Sequence, residues 1–243
     1  MRPEEATVLV AGASGRTGRE AVDALLDAGI EVRALTSRPA AAETLELQGA
    51  DEVIVGDLLD PGDAGRAVGG VDAVLCAVGS SLRDLLGGPL VDGEGTVDLV
   101  TAAAEAGVER FALVSSIGVG DSRPGMPSPF RVALDSAGVL PAKERAERRL
   151  RASDLSHTIL RPGGLTGAPA TGDVLVGEGG DTVSGTVPRA DVARLLAAAP
   201  FTPAAEDRTF EVVAREGLRG RPSGLVDVDW SVPVPVARME REQ

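Results

Sequence analysis

Three features of the sequence predict an α/β fold built on a doubly wound parallel sheet with helices on both faces. Short apolar runs alternate with helix-length segments along most of the 243 residues, the order that parallel βαβ units produce. Runs such as Val8–Gly12 and Ala73–Val78 are apolar at nearly every position, as strands covered on both faces require. A glycine-rich turn, Gly12-Ala13-Ser14-Gly15-Arg16-Thr17-Gly18, joins the first apolar run directly to the first helical one.

The elements follow in order. Thr7–Gly12 reads as the first buried strand. Arg19–Ala28 carries Val22, Leu25 and Leu26 on one helical face, and Gly29 is its stop. Glu31–Thr36 is the second strand, Ala40–Gln48 the second helix, ended near Gly49, and Glu52–Gly56 the third strand. Asp60-Pro61 opens a helix, with Asp60 as cap and Pro61 in the first turn. Asp72–Val78 is the fourth strand, Asp92–Ala106 a long amphipathic helix closed by Gly107, and Arg110–Ser116 the fifth strand. Residues 118–135, rich in Gly, Pro and Ser, read as a loop. Ser136–Ala152 reads as one charged helix and Ser156–Arg161 as the sixth strand. Thr171–Val187 alternates around a Gly-rich turn and predicts a hairpin. Arg189–Ala199 is a helix, Thr209–Ala214 a last strand, and the Pro-rich tail irregular. No boundary is visible before about residue 163. A single domain over 1–243 is expected, with about 163–188 and 200–243 forming a small substrate-side extension.

Composition narrows the function. Apolar residues make up 43% and aromatic ones 2%, with no Tyr, so the core must be aliphatic. A net charge of −13 argues against nucleic acid, whose phosphates need cationic neutralisation, and against an anionic membrane surface. The acidic, lysine-poor balance suits a high-salt cytoplasm and equally a GC-rich coding bias. Cys76, the lone cysteine, lies in an apolar run and reads as a small buried hydrophobe. No apolar run approaches membrane-spanning length, and residues 1–6 are polar with no basic stretch before an apolar one. A cytoplasmic location is expected. No His, Cys or Asp cluster has metal-ligand spacing.

The glycine turn carries the chemistry. Its place between a strand and a helix makes the pattern specific. Gly12 suits the tight turn, Gly15 allows backbone to approach a pyrophosphate, and Gly18 allows close helix–strand packing. The helix N-terminus then directs free N–H groups at phosphate. This is a Rossmann-type dinucleotide site.

The spacing is G-x-x-G-x-x-G, and six further segments accompany it: Gly56-Asp57-Leu58, Val91-Asp92 through Gly95-Thr96, Leu113–Ser116, Lys143 with Glu147, Leu160-Arg161-Pro162-Gly163, and Arg189-Ala190-Asp191-Val192-Ala193. In this order the chain resembles the atypical short-chain dehydrogenase/reductase superfamily, NAD(P)H-binding, of the NmrA-like and flavin/biliverdin reductase-like type. The resemblance spans roughly residues 7–200. It implies a loop site formed by Gly12, Ser14, Gly15, Arg16, Thr17 and Gly18. It implies an adenine contact at Asp57-Leu58, cofactor-lining positions at Ala77, Val78, Gly79 and Ser115, and a nicotinamide-flanking segment at Arg161-Pro162-Gly163. Monomers and homodimers both occur among such proteins.

An NAD enzyme carries Asp or Glu at the end of the second strand. Here that end reads Thr36-Ser37-Arg38. A guanidinium pairs with a 2′-phosphate that a carboxylate would repel, so NADP(H) is preferred over NAD(H), with Ser37 and Arg38 in the site and Arg16 as a second cation.

The related dehydrogenases use Ser, Tyr and Lys. Ser116 falls at the serine position and Lys143, the only lysine, at the lysine position, where ribose binding is implied. The tyrosine position is Val139, which has no ionisable group. The plainer reading of Lys143 is a solvated helix residue paired with Glu147 at i+4. His157, the only histidine, reads as a packing residue. Asp121, Ser122 and Arg123 lie in the loop where a substrate would sit, and the pocket is expected from 120–135, Gly163–Ala170 and the C-terminal strands.

The function expected is NADPH-dependent reduction of a small conjugated acceptor, such as a flavin or quinone, without the tyrosine. The substrate itself is not specified by the sequence. The alternative is a non-catalytic NADP(H)-binding redox sensor or assembly protein. A nucleotide-sugar epimerase or dehydratase is least favoured, because such relatives need the tyrosine and a larger C-terminal part.

Overall fold

The computed structural model describes residues 1–80 and 89–230; the tail beyond, expected to be irregular, lies outside the described residues. An eight-stranded sheet in the order β3-β2-β1-β4-β5-β6-β10-β8 forms the centre. Its strands are β1 Thr7–Ala11, β2 Glu31–Thr36, β3 Glu52–Val55, β4 Ala73–Cys76, β5 Arg110–Val114, β6 Ser156–Pro162, β8 Val174–Gly177 and β10 Arg208–Ala214. All adjacent pairs are parallel except β10 with β8. A two-stranded parallel sheet, β7 Gly164–Thr166 with β9 Thr186–Pro188, stands beside it.

Strand alternation divides the core in two. Val8, Val10, Val32, Ala34, Phe210 and Val212 belong to one apolar cluster, with α1 (Arg16–Asp27) and α7 (Arg189–Ala198) covering it. Leu9, Ala11, Leu35, Val74, Phe111 and Ile159 belong to the other. That face packs against α3 (Pro61–Val68), α4 (Thr96–Ala106) and α6 (Val139–Arg151). A period of two places successive side chains on opposite faces, and here both faces are apolar. That is the physical content of the doubly wound prediction.

Helix ends follow local chemistry. Asp60 accepts from the Gly62 amide at 2.9 Å at the start of α3, with Pro61 in the first turn. The short α2 (Ala42–Gln48) ends on Gly49 at φ 111°.

Three segments differ from the sequence expectation. The predicted hairpin over Thr171–Val187 is absent: β8 pairs antiparallel with β10, while β9 pairs with β7. The turn between them closes around a buried carboxylate instead. Glu211 of β10 accepts from the Asp181 amide at 2.9 Å and the Thr182 amide at 2.6 Å, satisfying backbone groups that a hairpin ladder would have used. The loop expected over 118–135 holds a 3₁₀ turn, Gly120–Gly125, and a helix, α5 (Ser128–Ser136). The single helix expected over Ser136–Ala152 is broken by Gly138 at φ 76°, which separates α5 from α6.

A π-helical turn, Val91–Gly95, precedes α4. Its glycines permit the packing that follows. A Cβ on Gly93 would stand 3.0 Å from Ala142 Cβ, and one on Gly95 would stand 2.9 Å from Val91 Cγ2. The turn therefore lies against α6.

Candidate cofactor and substrate cleft

The glycine turn leaves β1 through Gly12, whose φ of 80° is a left-handed conformation that glycine adopts freely. A Cβ on Gly18 would stand 2.2 Å from the Gly12 carbonyl oxygen, so α1 abuts the turn as only glycine allows. No side chain caps the N-terminus of α1. Its first-turn N–H groups remain available to an anion.

Beside this turn opens a cleft of about 680 Å³, running past the C-terminal ends of β4, β5 and β6 to α6. Gly15, Arg16, Thr17, Ala77, Val78, Gly79, Ser115, Ser116, Lys143, Pro162 and Gly163 all line it. These are eleven of the residues expected from the sequence. Gly12, Ser14 and Gly18 lie within the turn and are not lining residues. Ser37 and Arg38 follow β2, and Asp57 and Leu58 follow β3; none of the four lines the cleft. Arg38 reaches the turn: its Nε donates to Ser14 Oγ at 3.1 Å, and its guanidinium also donates to the Ser14 carbonyl. Ser14 Oγ is 2.6 Å from Thr36 Oγ1. Asp57 is exposed and accepts from the Leu59 amide at 3.0 Å, and Leu58 is buried.

Lys143 does not pair with Glu147. Its Nζ lies 2.7 Å from Asp92 Oδ1 and donates to the Val114 carbonyl at 3.4 Å. Asp92 Oδ2 accepts from the Ser80 amide at 2.6 Å. Burial pushes the Asp92 carboxyl up, but the Lys143 ammonium and Ser80 outweigh it and hold it below the usual carboxylate range. Sequence reasoning placed Asp92 in a motif and missed it as a site residue. The available signal was a lone lysine facing an apolar cleft, which needs a nearby anion. Ser80 also stands in the cleft wall, against Asp92.

Glu147 is engaged elsewhere. It is fully buried and accepts from Arg161 Nε at 2.9 Å, from Arg161 Nη2 at 2.7 Å, from Ser115 Oγ at 2.5 Å and from Arg151 at 2.8 Å. Arg161 also donates to Asp121. Burial raises the Glu147 carboxyl, and Arg161, Ser115 and Arg151 bring it below its ordinary value. The Arg161 side chain is thus held by two carboxylates and does not line the cleft, although Pro162 and Gly163 beside it do.

Ser116 donates to the Ile117 carbonyl at 2.8 Å and borders the cleft with Val139. Asp121 lies in the Arg161 network. Ser122 is buried and donates to the Val119 carbonyl, and Arg123 pairs with Asp135 at 2.5 Å. None of the three lines the cleft. His157 is only partly buried, with Nδ1 3.1 Å from the Leu155 carbonyl. Cys76 is buried, and burial pushes its thiol up to about 11. No group of three or more metal-ligating side chains occurs among the described residues, and no helix among them is long and apolar enough to cross a membrane.

The residues present fit a dinucleotide: an uncapped helix N-terminus, a turn in which Cβ atoms would collide, and a cationic side chain over it. Known proteins agree. Residues 12–203 match the NAD(P)H-binding family. An uncharacterized chloroplastic protein of Arabidopsis thaliana is 35% identical, over 86% of this chain and 76% of its own. An uncharacterized sugar epimerase of Bacillus subtilis is 32% identical, over 84% and 92%. Among solved structures, ChuY, an anaerobilin reductase of Escherichia coli O157:H7, superposes with a TM-score of 0.76 at 27% identity, covering 89% of this chain and all of that one.

Proposed function

The chain belongs to the NAD(P)H-binding family, and from that premise we propose that it is an NADP(H)-dependent reductase of a small conjugated acceptor. The observation that carries the reading is one continuous cleft that runs from the phosphate-binding turn to Lys143 and ends on Val139 rather than on a proton donor. When bound, the cofactor supplies a hydride to the acceptor, which takes one proton from solvent to balance the transfer.

The chain's own residues bind and orient. The turn Gly12–Gly18 and the α1 N-terminus hold the pyrophosphate. Arg38, fixed over Ser14, meets the 2′-phosphate, with Ser37 beside it and Asp57 and Leu58 near the adenine. Lys143, steadied by Asp92, donates to the nicotinamide ribose, and Ser116 orients the acceptor. Ala77, Val78 and Gly79 supply a low wall, and Pro162 and Gly163 flank the nicotinamide. Arg161 acts through Glu147 and Ser115, so its part is to set the β5–β6 floor rather than to touch the cofactor.

The likeness to ChuY, an anaerobilin reductase, supports reduction as the reaction. An epimerase reading of this chain would need a group to take and return protons, and Val139 carries none. In the test, purified protein and NADPH are mixed with a flavin, a quinone and a redox dye. Reduction of at least one well above the uncatalysed rate supports the proposal. Background rates for all three, with NADPH demonstrably bound, overturn it in favour of a non-catalytic cofactor sensor.

A further inference from the structure

Charge is distributed unevenly over this molecule. Four cationic side chains, Arg16, Lys143, Arg189 and Arg219, line the cleft against one carboxylate, Asp92, among the described residues. The chain as a whole carries −13. Asp92 is taken up by Lys143. Some arginines elsewhere pair with carboxylates, Arg208 with Glu178 and Arg215 with Asp173 among them. Arg16, Arg189 and Arg219 have none among the described residues. Burial and the neighbouring Arg16 charge both disfavour the Arg189 cation, so these two form an uncompensated pair beside the phosphate-binding turn.

Arg219 is different. It follows β10, outside the residues 12–203 that match the family. Its amide donates to the Ser184 carbonyl at 2.7 Å, and Leu218 bridges to Gly185, which fixes its backbone at the substrate side of the cleft. The apolar part of the cleft includes Met126, Phe130 and Leu134. Phe130 and Leu134 are four apart on α5 and share a face. Phe130 is 65% exposed, the one exposed aromatic ring among the described residues, on a helix with no buried residue. An exposed ring at a cleft is a stacking surface.

We propose that the acceptor is a planar conjugated ring bearing an anionic arm, with the ring on Phe130 and Leu134 and the arm on Arg219. Its identification as an acceptor rests on the reductase reading; its binding does not.

FMN and riboflavin share one ring and differ in a phosphate, so they isolate the arm. Binding to the NADP⁺-saturated protein is read by quenching of flavin fluorescence, which needs no turnover. The wild type is expected to bind FMN about tenfold tighter or more, the scale of one ionic contact. Arg219→Gln weakens FMN alone and brings the two affinities together. Phe130→Ala weakens both alike. A carboxylated naphthoquinone and its methyl ester, used as competitors, distinguish a carboxylate arm from a phosphate. Equal affinities in the wild type, an unchanged ratio in Arg219→Gln, or no binding of either flavin overturns the proposal. Selective FMN binding without reduction by NADPH removes the reductase reading and leaves this one standing.

Discussion

Lys143 and Asp92 set the character of the cleft at the level of single residues. Asp92 is 2% exposed and Lys143 15% at the side chain, so neither can be removed without leaving the other charged in a low-dielectric wall. Lys143→Met is expected to lower stability by about 3–5 kcal/mol, and pairing it with Asp92→Asn should recover a large part. A double-mutant cycle by urea denaturation reads this coupling; additive effects would show that the pair is solvated. The pairing was illegible in the sequence because the residues lie far apart in the chain, and the near neighbour Glu147 offered itself as the obvious partner. Arg161 was masked in the same way: its motif position suggested the cofactor, while strand alternation turned its side chain into the Glu147 network.

At the scale of elements, what was legible was what local physics dictates. Strands buried on both faces announce themselves by continuous apolar runs, and Asp60-Pro61 capped a helix as expected. The turn Gly12–Gly18 is specified by backbone approach at Gly18, so Gly18→Ala should destabilise by about 1–3 kcal/mol and abolish nucleotide binding together. Retained binding at wild-type affinity, measured by nucleotide titration, would show that the turn is not the phosphate cradle. Elements set by distant partners escaped. α5 carries Pro129 and Ser128 in its first turn, which locally read as loop. The segment 171–187 alternates like a hairpin, yet β8 finds the free edge of β10 because Glu211 closes the turn between β8 and β9. Gly138 was read as an interior helix residue where its positive φ makes a break.

For the whole molecule, acid sensitivity follows from two of its buried carboxylates, those that buried cations hold charged. Asp92 and Glu147 are both held below their ordinary values. A carboxylate depressed in the folded state contributes stability above its unfolded value, about 3.9 for Asp and 4.3 for Glu, and loses it as pH falls through the folded value. Urea midpoints are therefore expected to hold between neutrality and about pH 5 and to fall steeply below about pH 4. A Glu147→Gln variant should be less stable at neutrality, with Arg161 left short of its counterion, and flatter in its acid slope. A midpoint that rises on acidification below pH 4 would contradict the assignment of these pairs.

A 2′-phosphorylated dinucleotide is expected in the cleft beside Gly12–Gly18. The most direct test is a thermal-shift titration with NADPH, NADP⁺, NADH and NAD⁺. A ligand at 100 times its dissociation constant adds about 2.7 kcal/mol, which for a chain of this size raises Tm by roughly 5–10 °C. Such a shift is expected with NADPH and NADP⁺, little with the other pair, and a reversed preference in Arg38→Asp. No shift with any of the four would contradict it.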